Sequence, residues 1–277
     1  MLNAADVAIL CLPDAAAREA ASWVNNEQTK ILDASTAHRT APGWVYGFPE
    51  LETDHRQKIT QSNRVSNPGC YPTGFLSLVA PLVSTGLLPS SFPITVNAIS
   101  GYSGGGKKMI AQYETFRREH PEESESVEPY SPYGLKFGHK HVKEMQKYAG
   151  LEHSPIFVPS VGDFEQGMVV QVPLPLWTLE QSPDGEQLHS VLAEHYQDEP
   201  FVKVMPYGDT NQLRDGNFLA AKQANHTNEL HLFVFARDET QEALLVARLD
   251  NLGKGASGAA VQNINLMLGL PEEAGLV

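Results

Sequence analysis

Residues 6–33 read DVAILCLPDAAAREAASWVNNEQTKILD, and this stretch decides the fold. The continuous apolar run 6–12 is typical of a strand buried on both faces of a parallel sheet, and Pro13 ends it. Asp14 can cap an alanine-rich helix that runs to about residue 24, and residues 30–33 have the composition of a second short strand. A strand, a helix and a strand at this spacing predict a doubly wound α/β domain.

The pattern changes after about residue 92. Four later segments have strand composition, and a short polar turn between the last two favours a hairpin: 93–99, 168–172, 231–236 and 244–249. We therefore predict a second, α+β domain with a mixed or antiparallel sheet. Helical spacing returns at 257–268, where Gly269 ends the helix. The acidic run 122–128 is predicted to be a solvated loop.

Composition excludes several classes of function. The formal net charge is −13, whereas nucleic acids and anionic membrane surfaces require basic patches. No apolar run approaches the roughly 18–20 residues of a membrane span, and no secretory signal opens the chain. The chain has only two cysteines, which excludes a disulfide framework and indicates a reducing compartment. We expect a cytoplasmic protein that binds neither nucleic acid nor membrane.

The two cysteines differ in their surroundings. Cys11 lies in the apolar run 6–12 and is predicted to be a buried structural residue. Cys70 lies in the run Ser66-Asn67-Pro68-Gly69-Cys70-Tyr71-Pro72-Thr73-Gly74, which predicts a turn followed by a helix. At the start of a helix, unpaired backbone N–H groups and the helix dipole favour a thiolate, and the same N–H groups can stabilise an oxyanion. Cys70 is therefore a candidate nucleophile.

A thiolate nucleophile needs a group that handles protons. The segment Gly138-His139-Lys140-His141 is the best candidate, because it concentrates two titratable rings and a positive charge. We do not interpret it as a metal site, since no further Cys or His cluster supplies the remaining ligands. Isolated histidines, such as His55, His153, His189 and His195, are predicted to be surface residues.

A glycine-rich loop at residues 101–108 follows a predicted strand and precedes a helical stretch. Such a loop can bring backbone N–H groups and the side chains of Lys107 and Lys108 to a phosphate. A flexible loop without a ligand has the same composition, so the loop alone leaves both interpretations open.

Taken together, four blocks of sequence resemble the N-acetyl-γ-glutamyl-phosphate reductases of the semialdehyde dehydrogenase superfamily, in their shorter sequence type. The blocks are 32–39 with 46–51, the cysteine run 66–73, the His-Lys-His element, and 250–255 with 260–265. The resemblance spans essentially the whole chain. It implies a Rossmann-like NADP-binding domain, here N-terminally truncated, formed by residues 1–70 with 251–277. Residues 71–250 would form an α+β catalytic and dimerisation domain.

The resemblance also implies a reaction and a site. Cys70 would attack the acyl phosphate of N-acetyl-γ-glutamyl phosphate, NADPH would reduce the thioester, and His139 would act as acid and base, with His141 as second choice. The implied substrate-binding residues are Arg39, Asn67, His141, Tyr133 and Glu144. The implied cofactor-binding residues are Cys11, Pro13, Ser35, Ser103, Gly104, Gly105 and Asn251. A homodimer or homotetramer is expected.

The chain departs from the family pattern at its start. Family members begin with a strand and a glycine-rich turn that binds the pyrophosphate of the cofactor. No such turn precedes residue 6, so roughly thirty to forty residues of the family's usual plan are expected to be missing.

Three alternatives stay open from the sequence. A sister reductase would act on aminoadipyl or aspartyl phosphate. A cysteine hydrolase would use Cys70 and His139 as a dyad, and would need no nucleotide turn. An inactive fragment would serve only as a partner in an oligomer. The hydrolase leaves the 250–255 block and the opening strand-helix-strand unit unexplained.

Overall fold

The computed structural model describes residues 2–121 and 128–277. The predicted strand-helix-strand unit is confirmed: β1 (Val7–Leu10), α1 (Asp14–Ser22) and β2 (Lys30–Asp33) follow each other, and the two strands pair in parallel. Parallel pairing is expected here, because a helical crossover returns the chain to the same edge of the sheet. The acidic run predicted as a loop lies outside the described residues except for Glu128.

Two further strands and two helices complete the parallel layer. The strands β3 (Val45–Tyr46) and β4 (Arg64–Ser66) give the order β1-β2-β4-β3, and every pairing is parallel. Helix α2 (His55–Gln61) and the C-terminal helix α7 (Gly258–Leu268) pack against each other, and α7 also contacts β2. All these elements fall within the predicted first domain, whose bounds stay a prediction.

Strand β1 is the edge strand of this sheet, and it is buried on one face only. Ala8 and Leu10 pack against α1, whereas Ile9 is 52% exposed. Cys11 lies beyond the end of the strand and its thiol is exposed, so the prediction that Cys11 is a buried structural residue is wrong. The apolar run predicted two buried faces, but periodicity cannot show which strand of a sheet lies at the edge.

The second sheet is mixed, as predicted, and has seven strands in the order β6-β7-β5-β8-β11-β10-β9. The predicted hairpin is confirmed, since β10 and β11 pair along their full length in antiparallel register. Among the described residues, four of its six strand pairings are antiparallel and two are parallel, namely β5 with β7 and β9 with β10. The bounds are β5 (Thr95–Gly101), β6 (Tyr130–Pro132), β7 (Ile156–Gly162), β8 (Met168–Pro175), β9 (Val202–Val204), β10 (Leu230–Arg237) and β11 (Glu242–Leu249).

Four helices accompany the mixed sheet, and one of them fills its core. Helix α3 (Cys70–Ser84) is apolar on almost every side and packs on β8, β10 and β11. An all-round apolar helix must be enclosed on all sides to be stable in water. The helices α5 (Val142–Tyr148) and α6 (Gly185–His195) enclose it, while α4 (Gly106–Glu119) lies near β6 and β7. The sheet therefore fixes the direction of α3 and the position of its first residue.

Two further findings concern expectations from the sequence. His55 is buried, and its Nε2 donates to the carbonyl oxygen of Tyr46 over 2.5 Å, so the prediction of a surface histidine is wrong for this residue. Among residues 2–121 and 128–277, no helix is long and apolar enough to cross a membrane.

Candidate active site

Cys70 is the first residue of α3, as the sequence predicted. β4 ends at Ser66, and the Asn-Pro-Gly turn redirects the chain from the parallel sheet into the core of the mixed sheet. Gly69 is the N-cap residue with extended backbone, and Pro72 occupies the first turn, where its missing N–H costs no hydrogen bond. The sulfur therefore lies where the two sheets meet, at the start of a rigid helix.

The surroundings of Cys70 do not favour the thiolate in the way the sequence led us to expect. Burial, and to a smaller extent the Glu144 carboxylate, raises the pKa of the Cys70 thiol to about 11. Arg39 and the backbone N–H of Tyr71 lower the pKa of the thiol, but their effect is smaller than that of burial. The thiol is protonated at neutral pH, so a neighbouring base must take its proton before it can attack.

Cys70 opens into a cleft of about 560 Å³ between the two sheets. Ten of the fourteen predicted site residues line it. These are Cys11, Arg39, Asn67, Cys70, Ser103, Gly104, Tyr133, His139, His141 and Asn251. The cleft therefore brings together most of a site that the sequence predicted from six separate segments.

The four other predicted residues lie behind the walls of the cleft. Ser35 hydrogen-bonds to Asp33 through its hydroxyl and its backbone N–H, at 2.8 and 2.9 Å. Pro13 is the N-cap residue of α1, and Gly105 ends a 3₁₀ turn against Met109. Glu144 is buried beneath Arg39.

Arg39 is a buried cation at the bottom of the cleft. Its Nη1 donates to Glu144 Oε1 over 2.7 Å, and its Nη2 donates to the Ala34 carbonyl over 3.2 Å. Burial by itself would lower the pKa of Arg39, but the Glu144 carboxylate raises it, so the guanidinium stays charged. Arg39 Nε is buried without a hydrogen-bond partner among the described residues. The Arg39 guanidinium therefore gives the bottom of the cleft a fixed positive charge that can attract an anion.

The two histidines are held in different ways. The His141 backbone N–H donates to His139 Nδ1 over 3.2 Å, which leaves the proton of neutral His139 on Nε2. Burial lowers the pKa of His139, and Lys140 lowers it further. His141 is buried and its pKa lies well below the usual value, through burial first and then through Arg39. Both rings are therefore neutral at pH 7 and able to accept a proton.

Gly69 is where several of these groups converge. A Cβ atom placed on Gly69 would lie 2.6 Å from Arg39 Nη1 and 2.7 Å from His141 Nε2, closer than real contacts allow. The Gly69 N–H donates to Glu144 Oε2 over 3.1 Å. Only glycine lets the turn before Cys70 approach the guanidinium and the imidazole this closely.

Two tyrosines close the side of the cleft next to the histidines. Tyr133 donates its hydroxyl to the Tyr71 hydroxyl over 3.2 Å, and Tyr71 donates to the Ser160 carbonyl over 3.0 Å. The Tyr71 and Tyr133 rings both meet the His139 ring edge to face. Burial raises the pKa of Tyr133 to about 12, so its hydroxyl remains protonated.

The opposite wall is formed by the glycine-rich loop and the start of α7. Asn251 Nδ2 donates to Ser103 Oγ over 2.9 Å, while its Oδ1 accepts from the Gly167 N–H over 2.7 Å. Ile9, Ala260, Val261 and Ile264 add an apolar surface on this side. Such an apolar surface beside Ser103 and Gly104 suits one face of a planar ring. No metal-binding group of three or more His, Cys, Asp or Glu side chains occurs in the described part of the chain.

Sequence reasoning assigned no individual site role to four residues in and around the cleft. Lys140 lines the cleft between the two histidines, and Tyr46 hydrogen-bonds to Glu144 behind it. Lys254 is fully buried and pairs with Glu50 over 2.6 Å, which fixes the loop that follows β11. The blocks that carry the family resemblance contain Tyr46, Glu50 and Lys254, so the sequence could have drawn attention to these residues. Their hydrogen-bond and ion-pair partners could not be predicted, because they depend on long-range packing.

The fold and the site together define a class of α/β protein, in which a parallel sheet and a mixed sheet enclose a cleft that contains a cysteine at the start of a helix. Family models agree: the semialdehyde dehydrogenase dimerisation domain matches residues 70–251, and the semialdehyde dehydrogenase NAD binding domain matches residues 1–59. The chain belongs to the semialdehyde dehydrogenase family, in the group that contains the N-acetyl-gamma-glutamyl-phosphate reductases.

Curated relatives place it within this group. "N-acetyl-gamma-glutamyl-phosphate reductase 2" of Nostoc sp. strain PCC 7120 is 64% identical over 276 residues, covering 100% of this chain and 85% of the relative. The N-acetyl-gamma-glutamyl-phosphate reductase of Burkholderia lata is 49% identical over 273 residues, with 99% and 84% covered. The aspartate semialdehyde dehydrogenase II structure from Vibrio cholerae has a TM-score of 0.70 at 16% identity, covering 97% of this chain and 81% of that one. At this identity the structural likeness concerns the fold alone.

Proposed function

We propose that the protein reduces N-acetyl-γ-glutamyl phosphate to N-acetylglutamate 5-semialdehyde and phosphate, with NADPH as reductant, in arginine biosynthesis. The carrying observation is that the protonated thiol of Cys70 shares one cleft with two neutral histidines and a buried arginine. The names of the relatives support this choice of substrate. The reaction proceeds through a thioester on Cys70.

The first step forms the thioester. A neutral histidine takes the proton of the thiol, and the Cys70 sulfur attacks the acyl carbon of the substrate. The new C–S bond replaces the bond between that carbon and the phosphate oxygen, and phosphate leaves as an anion. The Arg39 guanidinium offers a charged donor to the phosphate or to the substrate carboxylate.

The second step releases the aldehyde. Ser103, Gly104 and Asn251 would hold a nicotinamide cofactor, which when bound would provide the hydride that the thioester carbon accepts. Negative charge then develops on the thioester oxygen, where the protonated histidine and the backbone N–H groups of Cys70 and Tyr71 stabilise it. The C–S bond breaks, the semialdehyde leaves, and the Cys70 thiolate regains a proton from the histidine.

We assign the role of acid and base to His139. The His141 backbone N–H holds His139 Nδ1, so His139 presents Nε2 to the cleft. His141 lies closer to the turn at Gly69 and is the second choice. The variants His139→Gln and His141→Gln separate them: the acid-base residue is the one whose loss removes the acidic limb of the pH profile of kcat.

We further propose NADP rather than NAD, a homodimer or homotetramer, and a cytoplasmic location. The family model supports a nicotinamide cofactor, and the matching dimerisation domain supports an oligomer. The two free cysteines support a reducing compartment. Cys11, Pro13, Ser35, Ser103, Gly104, Gly105 and Asn251 remain the proposed cofactor-binding residues, and the first three lie on the side of the parallel sheet.

The experiment is the reverse reaction. Purified protein is given N-acetylglutamate semialdehyde, inorganic phosphate and NADP or NAD, and the reduced cofactor is followed by its absorbance. We expect reduction that requires phosphate, prefers NADP and vanishes in Cys70→Ser. A preference for the aminoadipate or aspartate semialdehyde would overturn the choice of substrate. Ester hydrolysis without any nicotinamide dependence would indicate a cysteine hydrolase instead.

A further inference from the structure

The Glu144 carboxylate is the centre of a buried hydrogen-bond network beneath the cleft. Glu144 is 1% exposed and accepts from three donors on three other segments. Arg39 Nη1 reaches Oε1 at 2.7 Å, while the Tyr46 hydroxyl at 2.7 Å and the Gly69 N–H at 3.1 Å share Oε2. The carboxylate thus ties α5 to β3, to the arginine loop and to the turn that precedes Cys70.

Tyr46 is a donor of this network whose own position is fixed by burial and by ring stacking. It is 1% exposed, and its ring stacks on Tyr148 with centroids 4.0 Å apart. Burial, with the nearby Glu144 carboxylate, keeps the pKa of Tyr46 well above its usual value, so the hydroxyl is protonated and can only donate to the carboxylate. Tyr148 in turn donates its hydroxyl to the Arg39 carbonyl over 2.5 Å. Two stacked tyrosines therefore hold both Glu144 and the backbone of Arg39.

We infer that Tyr46 is a positioning residue that, through Glu144, holds Arg39 and the Gly69 turn in the arrangement that binds the phosphate of the substrate beside Cys70. This inference rests on the proposed function. Tyr46 itself does not line the cleft, so it acts only through Glu144.

The physical argument concerns the second oxygen of the carboxylate. Without the Tyr46 hydroxyl, Oε2 keeps only one of its two donors, the Gly69 N–H, and the loss of a donor from a buried carboxylate is costly. The carboxylate then turns both oxygens towards Arg39, the strongest donor in reach. That movement draws the guanidinium away from the cleft and frees the Gly69 N–H. Binding of an anion at Arg39 weakens as a result.

The test measures anion binding without turnover. In a Cys11→Ser background, Cys70 is alkylated with iodoacetamide at increasing concentrations of inorganic phosphate, and labelling is read by mass spectrometry. Phosphate bound at Arg39 protects the thiol. In Tyr46→Phe, which keeps the ring stack, we expect the half-protecting phosphate concentration to rise about tenfold, the size expected for a lost hydrogen bond to a charged group.

Tyr196→Phe is the matched control. Tyr196 is buried away from the cleft and donates its hydroxyl to the Ser77 carbonyl over 3.1 Å. The substitution therefore removes one buried tyrosine hydrogen bond, as Tyr46→Phe does, but leaves the hydrogen bonds of Glu144 unchanged. Its half-protecting concentration should stay within about twofold of the parent. If Tyr46→Phe fails to fold, Tyr148→Leu replaces it, since it removes the ring on which Tyr46 is stacked, and the same direction is expected.

The outcomes separate this inference from the proposed function. In the reductase assay, Tyr46→Phe should raise KM for phosphate and leave KM for NADP unchanged. An unchanged half-protecting concentration in Tyr46→Phe, or no protection in the parent, overturns the inference. Protection in the parent that is lost in Tyr46→Phe, with no reductase turnover in either, supports the inference and overturns the proposed function.

Discussion

Cys11 and Cys70 line the same cleft from opposite sides, but they differ in burial and in the side chains around them. Cys11 follows an edge strand and exposes its thiol to solvent. Cys70 is half-buried at the start of the core helix α3, and burial raises the pKa of its thiol to about 11. Under the proposed function, the nucleophile is not the more exposed cysteine. It is the one beside two neutral histidines and a buried arginine.

The largest expected effect separates the two cysteines by function. Cys70→Ser should lower kcat for phosphate-dependent NADP reduction by more than about 10³-fold, because the sulfur forms the covalent intermediate. Cys11→Ser is the comparison variant: because Cys11 is a proposed cofactor-binding residue, any loss should appear in KM for NADP, while kcat should stay within about twofold of the parent. Equal losses of kcat in the two variants would show that the two cysteines do not differ in function.

A second, smaller effect concerns how closely the cleft wall packs on Cys70. A Cβ atom on Gly255 would lie 2.9 Å from Cys70 Cβ and 3.1 Å from the Asp250 carbonyl. Gly255→Ala should therefore displace the thiol and lower kcat by about 10²-fold, since displacements near 1 Å cost that much.

The matched measurement is iodoacetamide labelling of Cys11 in Gly255→Ala. Its rate should not change, because the substitution alters only the wall around Cys70. A wild-type kcat in Gly255→Ala would show that the thiol tolerates displacement, and would weaken the claim that the sheets fix its position.

The smallest effect is the pH dependence of thiol reactivity in the protein without substrate. Because burial raises the pKa of Cys70 to about 11, its alkylation rate should keep rising as the pH increases towards 11. Each unit of pH below this value lowers the thiolate fraction about tenfold. At pH 8, exposed Cys11 should therefore react at least about tenfold faster than Cys70. A plateau in the Cys70 rate near pH 7 would contradict the raised pKa.

Much of the fold follows from local patterns in the sequence. The strand-helix-strand start, the hairpin of β10 and β11 and the helix beginning at Cys70 are confirmed because each depends on neighbouring residues. The order of strands depends on contacts distant in sequence. For this reason the exposed face of β1 and the exposure of Cys11 were predicted wrongly.

The same distinction, between what local sequence predicts and what depends on long-range packing, applies to the site. The segments that carry Cys70, His139 and Arg39 were identified from composition and from family motifs, and the structure places all three in one cleft. The direction of the pKa shift of Cys70 was not predictable, since the helix start favours the thiolate while burial, a property of the packed core, disfavours it. The roles of Tyr46 and Glu144 depend on hydrogen bonds across about one hundred residues of chain.

The central claim is that Cys70 becomes acylated by the substrate, and one measurement tests it directly. The protein is mixed with N-acetyl-γ-glutamyl phosphate in the absence of any nicotinamide cofactor, quenched in acid, digested and examined by mass spectrometry. The account predicts that the peptide containing Cys70 gains the mass of an N-acetylglutamyl group, and that the peptide containing Cys11 does not. An adduct on Cys11, or no adduct on Cys70 while turnover proceeds, would contradict it.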